Sequence, residues 1–181
     1  ATSISGNTDE TLTILENSVK TNAKVIALSS GGKMEEVSSK NNIPHFKINQ
    51  THSPRASLLQ FLYSTLNILQ EFIPIKKADI TESLSQLKNI QKQICSSNLT
   101  DDNPALNLAK WINTIPVIYY PAGLQAAAIR FKNSMQENAK KHVITEDVIE
   151  ACHNGIVAWE ESSNLQPILI LGKDDYVKTK E

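Results

Sequence analysis

Apolar positions in this 181-residue chain follow two rhythms. Short, nearly unbroken runs at residues 23–30 (AKVIALSS), 45–48 (HFKI), 115–120 (IPVIYY) and 166–171 (QPILIL) have the length and β-branched content of buried parallel strands. Between them apolar residues recur every three or four positions. Leu12, Leu15 and Val19 predict one helix; Leu124, Ala127, Ala128, Phe131 and Met135 predict the core face of another, running from Leu124 to about Lys141. Residues 33–40 predict a short helix that Pro44 breaks. Ser53-Pro54-Arg55 predicts a helix start, with Ser as cap and Pro in the first turn. That helix is expected to reach about Phe72 and to be largely buried, because Leu58, Leu59, Phe61, Leu62, Leu66, Leu69 and Phe72 surround most of it. Residues 80–94 carry a thin apolar stripe, and Asn103-Pro104 starts a helix through Trp111. Thr145-Glu146-Asp147 is expected to open a further helix, interrupted at Cys152-His153-Asn154-Gly155.

Strand and helix therefore alternate, and the second half repeats the plan of the first. That points to an α/β protein with parallel sheets and helices on their faces. The expected domains are 1–74, a helical connection over 75–102, and 103–181. In such sheets ligands sit beyond the carboxyl ends of the strands. Two polar turns fall at that edge. The first, Ser3-Ile-Ser-Gly-Asn-Thr8, reads as the tail of a buried strand turning into a helix. Ser3, Ser5 and Thr8 supply hydroxyls, Gly6 allows a sharp bend, Asn7 or Thr8 can cap, and Asp9 and Glu10 suit the positive helix end. Free N–H groups at such a start form an anion site, most often for phosphate; an ordinary capped turn uses the same residue types. The second turn is Ser29-Ser30-Gly31-Gly32. Arg55 sits in a first helical turn, where the dipole does not favour a cation, so it either meets an anion or is simply solvated. Arg130, Glu137 and Lys141, read alone, make a solvated helix face.

Composition narrows the classes. With 18 Lys plus Arg against 19 Asp plus Glu there is no basic field for nucleic acid, and no apolar run is long enough for a membrane span. Two cysteines make no disulfide framework, so a cytoplasmic location is expected. The four histidines and two cysteines lack zinc spacing. Cys152 and His153 are helix neighbours, which do not face each other, so a thiol dyad is not expected. No nucleotide phosphate loop and no Gly-x-Gly-x-x-Gly occurs. The chain starts with Ala1 inside a predicted strand and ends in a charged stretch, so a fragment of a longer protein is expected.

Four segments in order resemble the bifunctional phosphoglucose/phosphomannose isomerases, a family with two sugar isomerase (SIS) domains. They are residues 3–12, Ser29-Ser30-Gly31-Gly32, Ser53-Pro54-Arg55-Ala56, and Glu137-Asn138-Ala139-Lys140 with His153-Asn154 and Trp159 beyond. The resemblance implies tandem flavodoxin-like αβα sandwiches with parallel sheets, both truncated here. It implies interconversion of glucose 6-phosphate and mannose 6-phosphate with fructose 6-phosphate through a cis-enediol, without cofactor or metal. Ser3, Ser5, Gly6, Asn7 and Thr8 would hold the phosphate, with Ser29 or Ser30 adding contacts. Glu137 would be the proton-transfer base, made a better one by partial burial. Arg55 would face the reacting end and stabilise charge on oxygen. His153 would help open the ring, supplied to the partner's site in a homodimer. The family's Gly-rich motif upstream and its C-terminal Lys have no counterpart here, so the 181-residue piece alone is expected to be inactive. The competing readings are a non-catalytic SIS module that senses a sugar phosphate, another SIS enzyme acting on an amino-sugar or pentose phosphate, and a plain α/β domain.

Overall fold

The structure, a computed structural model, describes residues 1–50, 52–173 and 175–180. The chain divides into two compact units, Ala1–Thr81 and Glu82–Glu181.

In the first unit the order is α1 (Asp9–Ser18), β1 (Ala27–Ser29), α2 (Gly32–Lys40), β2 (His45–Lys47), a 3-10 turn at Pro54–Ala56, and α3 (Leu58–Ile68). β1 and β2 pair in parallel, with Ala27 opposite His45 and Ser29 opposite Lys47. Residues 1–4 run beside β1: Thr2 bridges Leu28 in parallel, and bonds join Leu28 N–H to Ala1 O, Ser3 N–H to Leu28 O and Ser30 N–H to Ile4 O. Strand alternation separates two cores. Ala27 faces one way, with Leu12 and Leu15 of α1 and Met34 of α2. Leu28 faces the other, with Ile4, Ile48, and Phe61 and Ile68 of α3. The unit is thus three layers, α1 and α2 on one side of the sheet and α3 on the other.

α3 departs from expectation. The predicted single helix from Ser53 is a 3-10 turn followed by α3, parted at Ser57, whose φ/ψ of −94°/4° leaves the helical region. None of its residues is buried. Leu58, Leu59 and Leu62 keep 40–45% of their surface exposed, because only the Phe61–Ile68 side meets the sheet.

α4 (Lys77–Ile94) carries the division between the units. The second unit continues with α5 (Pro104–Trp111), β3 (Ile115–Tyr120), α6 (Gln125–Ser134), a π-helical turn at Met135–Ala139, β4 (Ile144–Asp147), α7 (Val148–His153), a 3-10 stretch at Gly155–Glu160, β5 (Leu165–Leu169) and α8 (Val177–Lys180). The sheet order is β4-β3-β5, all parallel. Ile118, Ala128 and Val143 form its core, joined by Phe131, Met135 and Ile168. The expected helix face of α6 holds except at Ala127, which is exposed.

β4 corrects the expectation of a helix at Thr145. Ile144–Asp147 pair with Val117–Tyr120, and the helix starts only after Asp147, whose carboxylate accepts from Ile149 N–H at 2.8 Å. Thr and Asp suit a cap, but buried Val143 and the β-branched Ile144 and Thr145 extend the strand.

Candidate functional site

The two polar turns of the first unit lock together. Gly6 takes φ 68°, and a Cβ there would lie 1.8 Å from Gly31 O, so only glycine fits. Met34 N–H bonds Gly6 O, and Ser30 donates its hydroxyl to Ile4 O. The Asn7 side chain accepts from Lys33 N–H at 3.0 Å. Asn7 therefore serves the start of α2, where Gly31 offers no side-chain cap of its own, and not the start of α1 considered from the sequence.

Around the α1 start, Ser3 Oγ lies 2.8 Å from Thr8 Oγ1 and accepts from Gly6 N–H at 3.1 Å. Ser5 Oγ accepts from Asn7 N–H. Ser3 and Gly6 are buried, while Ser5, Asn7 and Thr8 are exposed. Thr8 is the N-cap residue, in extended conformation, but it makes no side-chain cap bond; its hydroxyl turns to Ser3. Among the described residues no side chain therefore caps the N–H groups of the first turn of α1, and Asp9 and Glu10 follow directly.

Ser29 is fully buried. Its hydroxyl contacts Gly31 O at 2.8 Å, Gly31 N–H at 3.2 Å and His45 Nε2 at 2.7 Å. Ser30 is half-buried, with its hydroxyl on Ile4 O. Arg55 lies exposed in the 3-10 turn after Ser53.

In the second unit Glu137 sits in the π-helical turn that ends α6. Lys140 closes that turn in left-handed conformation, φ 56°, and its ammonium donates to Glu137 O at 2.7 Å. The change of helical pitch ends the straight α-helical line expected through Arg130, Glu137 and Lys141. Turns of this kind recur at functional sites. Glu137 is exposed within its unit, so the partial burial expected of it is not supplied there. His153 is the last residue of α7 and is also exposed. Nearby, Trp159 Nε1–H donates to the Tyr119 hydroxyl at 2.9 Å, beside an apolar pocket lined by Val148, Cys152, Ile156 and Leu169. Among the described residues no His, Cys, Asp and Glu side chains group to hold a metal ion, and no helix is long and apolar enough to cross a membrane.

Residues 101–181 match the family model of the bacterial phospho-glucose isomerase C-terminal SIS domain. The chain is 34% identical over 154 residues to the bifunctional phosphoglucose/phosphomannose isomerase of Thermoplasma acidophilum, covering 85% of this chain and 46% of that protein. It is 31% identical over 173 residues to the protein of the same name from Caldicellulosiruptor bescii, covering 91% and 50%. Residues 101–181 thus match a SIS domain, and most of the chain is similar to proteins named bifunctional phosphoglucose/phosphomannose isomerase. The chain spans about half the length of the curated relatives it matches. The SIS-type αβα fold agrees with a solved structure, the C-terminal domain of glucosamine-fructose-6-phosphate aminotransferase from Francisella tularensis. That likeness has a TM-score of 0.62 at 18% identity and covers 99% of this chain and 52% of that one; at such identity it speaks for the fold alone.

His45 is the residue that sequence reading left among scattered histidines. Its strand was legible, but its place beside Ser29 depends on the β1–β2 register, which no local pattern encodes.

Proposed function

We propose that this chain is part of an aldose–ketose isomerase that interconverts glucose 6-phosphate and mannose 6-phosphate with fructose 6-phosphate through a cis-enediol. The observation that carries this reading is the α1 start: an uncapped helix N-terminus with the Ser3, Ser5 and Thr8 hydroxyls around it, in a chain similar to proteins named for that activity. Backbone N–H groups and hydroxyls there take the phosphate. Holding the phosphate away from the reaction fixes the sugar, so that remote binding energy serves orientation.

Glu137 takes the proton from C2 and returns it to C1. Arg55 stabilises the negative charge that grows on oxygen in the enediol, and His153 donates a proton to the ring oxygen to open the sugar. The exposure of His153 at the end of α7 suits delivery to the site of a second copy, so the working form is a homodimer. The reaction needs no metal or cofactor. Residues 1–74 and 103–181 act as the two SIS domains, joined by the helical connection 75–102, in a cytoplasmic enzyme.

The test is a coupled assay on the full-length protein that carries this chain, with glucose 6-phosphate, mannose 6-phosphate and glucosamine 6-phosphate as alternative substrates. Glu137→Gln is expected to lower kcat by about 10²–10⁴-fold, the usual contribution of a general base, and to leave the fold intact. Wild-type activity in that variant would remove Glu137 from the reaction. Phosphate binding without turnover would favour a sensing module, and turnover of the amino sugar alone would move the enzyme to another substrate. The 181-residue chain by itself is expected to give no measurable turnover.

A further inference from the structure

We infer that His45 is a positioning residue for the phosphate turn, acting through Ser29 and Gly31; this rests on the reading of the α1 start as the phosphate subsite. Parallel pairing sets Ala27 opposite His45. Residues two apart on a strand share a face, so Ser29 lies diagonally beside the imidazole, with Oγ 2.7 Å from Nε2. A serine hydroxyl has one hydrogen and two acceptor positions. Gly31 O, 2.8 Å away, can only accept, so the hydroxyl hydrogen goes there. Gly31 N–H occupies one acceptor position, and the other takes Nε2–H of His45. The neutral imidazole is therefore the Nε2–H tautomer.

Ser29, fully buried, then has no bonding capacity left for a ligand. Its role is to hold both polar groups of Gly31. The Gly31 carbonyl lies directly against Gly6, with no room for a Cβ between them. Gly6 N–H bonds Ser3 Oγ, and Ser3 Oγ meets Thr8 Oγ1 at the start of α1. A continuous line of contacts thus runs from the imidazole to the helix start: His45, Ser29, Gly31, Gly6, Ser3, Thr8. Removing the Nε2–H donor leaves the buried Ser29 oxygen short of a partner and frees the floor under Gly6. The phosphate subsite loosens, while the proton-transfer groups are untouched.

Two variants and one spectrum test this in the full-length protein. His45→Gln keeps an amide N–H at the reach of Nε2, whereas His45→Phe keeps the ring shape without a donor. Inorganic phosphate is titrated against each, and glucose 6-phosphate kinetics are recorded. His45→Phe is expected to weaken phosphate binding about tenfold, the effect of one lost buried hydrogen bond. It should raise KM by a similar factor and leave kcat within about twofold, the pattern of lost remote binding. His45→Gln should restore both to within about threefold. Long-range ¹H–¹⁵N spectra of the wild type should show a protonated Nε2. A folded His45→Phe that binds phosphate like the wild type overturns the inference, as does an imidazole protonated only at Nδ1, or equal loss in the Gln and Phe variants. If Thr8→Ala weakens phosphate binding while His45→Phe does not, the positioning role fails and the phosphate subsite stands. If the wild type binds no phosphate, both fail together.

Discussion

Both units turn from a parallel strand into a helix through a glycine with positive φ, and they build that turn differently. In the first unit Gly6, at φ 68°, is pressed against Gly31 O. In the second, Gly123 takes φ 89° on the way from β3 to α6, and a Cβ there would meet nothing within 4 Å. The first turn carries Ser3, Ser5 and Thr8; the second reads Pro121-Ala122-Gly123 and offers no hydroxyl. The start of α6, at Leu124, likewise has no side-chain cap, whereas two other helix starts of the second unit do. Asn103 caps α5 by accepting from Ala105 and Leu106 N–H, and Asp147 caps α7. Thr8 caps nothing. Both strand-to-helix turns thus leave their helix donors without a side-chain cap, but only the first sets hydroxyls beside them. A capped start is finished; an uncapped one with hydroxyls around it has bonding capacity for a ligand.

The contrast is sharpest at the two glycines. Gly6→Ala should destabilise the first unit by about 3 kcal/mol or more, since the new Cβ cannot coexist with the Gly31 carbonyl and φ is strained besides. Hydrogen exchange of the residue 1–50 amides reads this, because both tryptophans, Trp111 and Trp159, lie in the second unit. Loss of exchange protection comparable to that of Gly123→Ala would show that the turns are not clamped.

Asn103→Ala comes next, at about 2 kcal/mol. The residue is buried, caps two N–H groups, and donates its amide to Asn98 O at 2.7 Å. Tryptophan fluorescence during urea unfolding measures it, and phosphate affinity should not move. Gly123→Ala should cost about 1 kcal/mol, from φ alone. A value as large as that for Gly6→Ala would erase the distinction between the units.

Thr8→Ala has the smallest effect on stability, below about 1 kcal/mol, because it breaks one partly exposed bond to Ser3 and no cap. Its effect on inorganic phosphate should nevertheless be about tenfold. Asn103→Ala is the matched control, with the larger stability loss and no loss of phosphate affinity. The opposite pattern would return the α1 start to an ordinary turn.

Much of this protein was legible along the chain. The apolar run at Ile115–Tyr120 set β3 to the residue. Asn103-Pro104 announced α5, because a cap acts on N–H groups two and three positions away. Ser, Gly and Thr at residues 3–8 marked the turn, because bend and hydroxyls are local properties. What lay beyond sequence reading depended on neighbours distant in the chain. β4 was hidden because Ile144–Asp147 is a strand by virtue of pairing with β3, while its residues locally suggest a helix start. The exposure of Leu58, Leu59 and Leu62 followed from which side of α3 meets the sheet, something apolar spacing around a helix does not report. The different duties of the Ser29 and Thr8 hydroxyls were decided by register and by the approach of two backbones. Short-range order is written in residue types; the partner of a buried hydroxyl is chosen only when the strands come together.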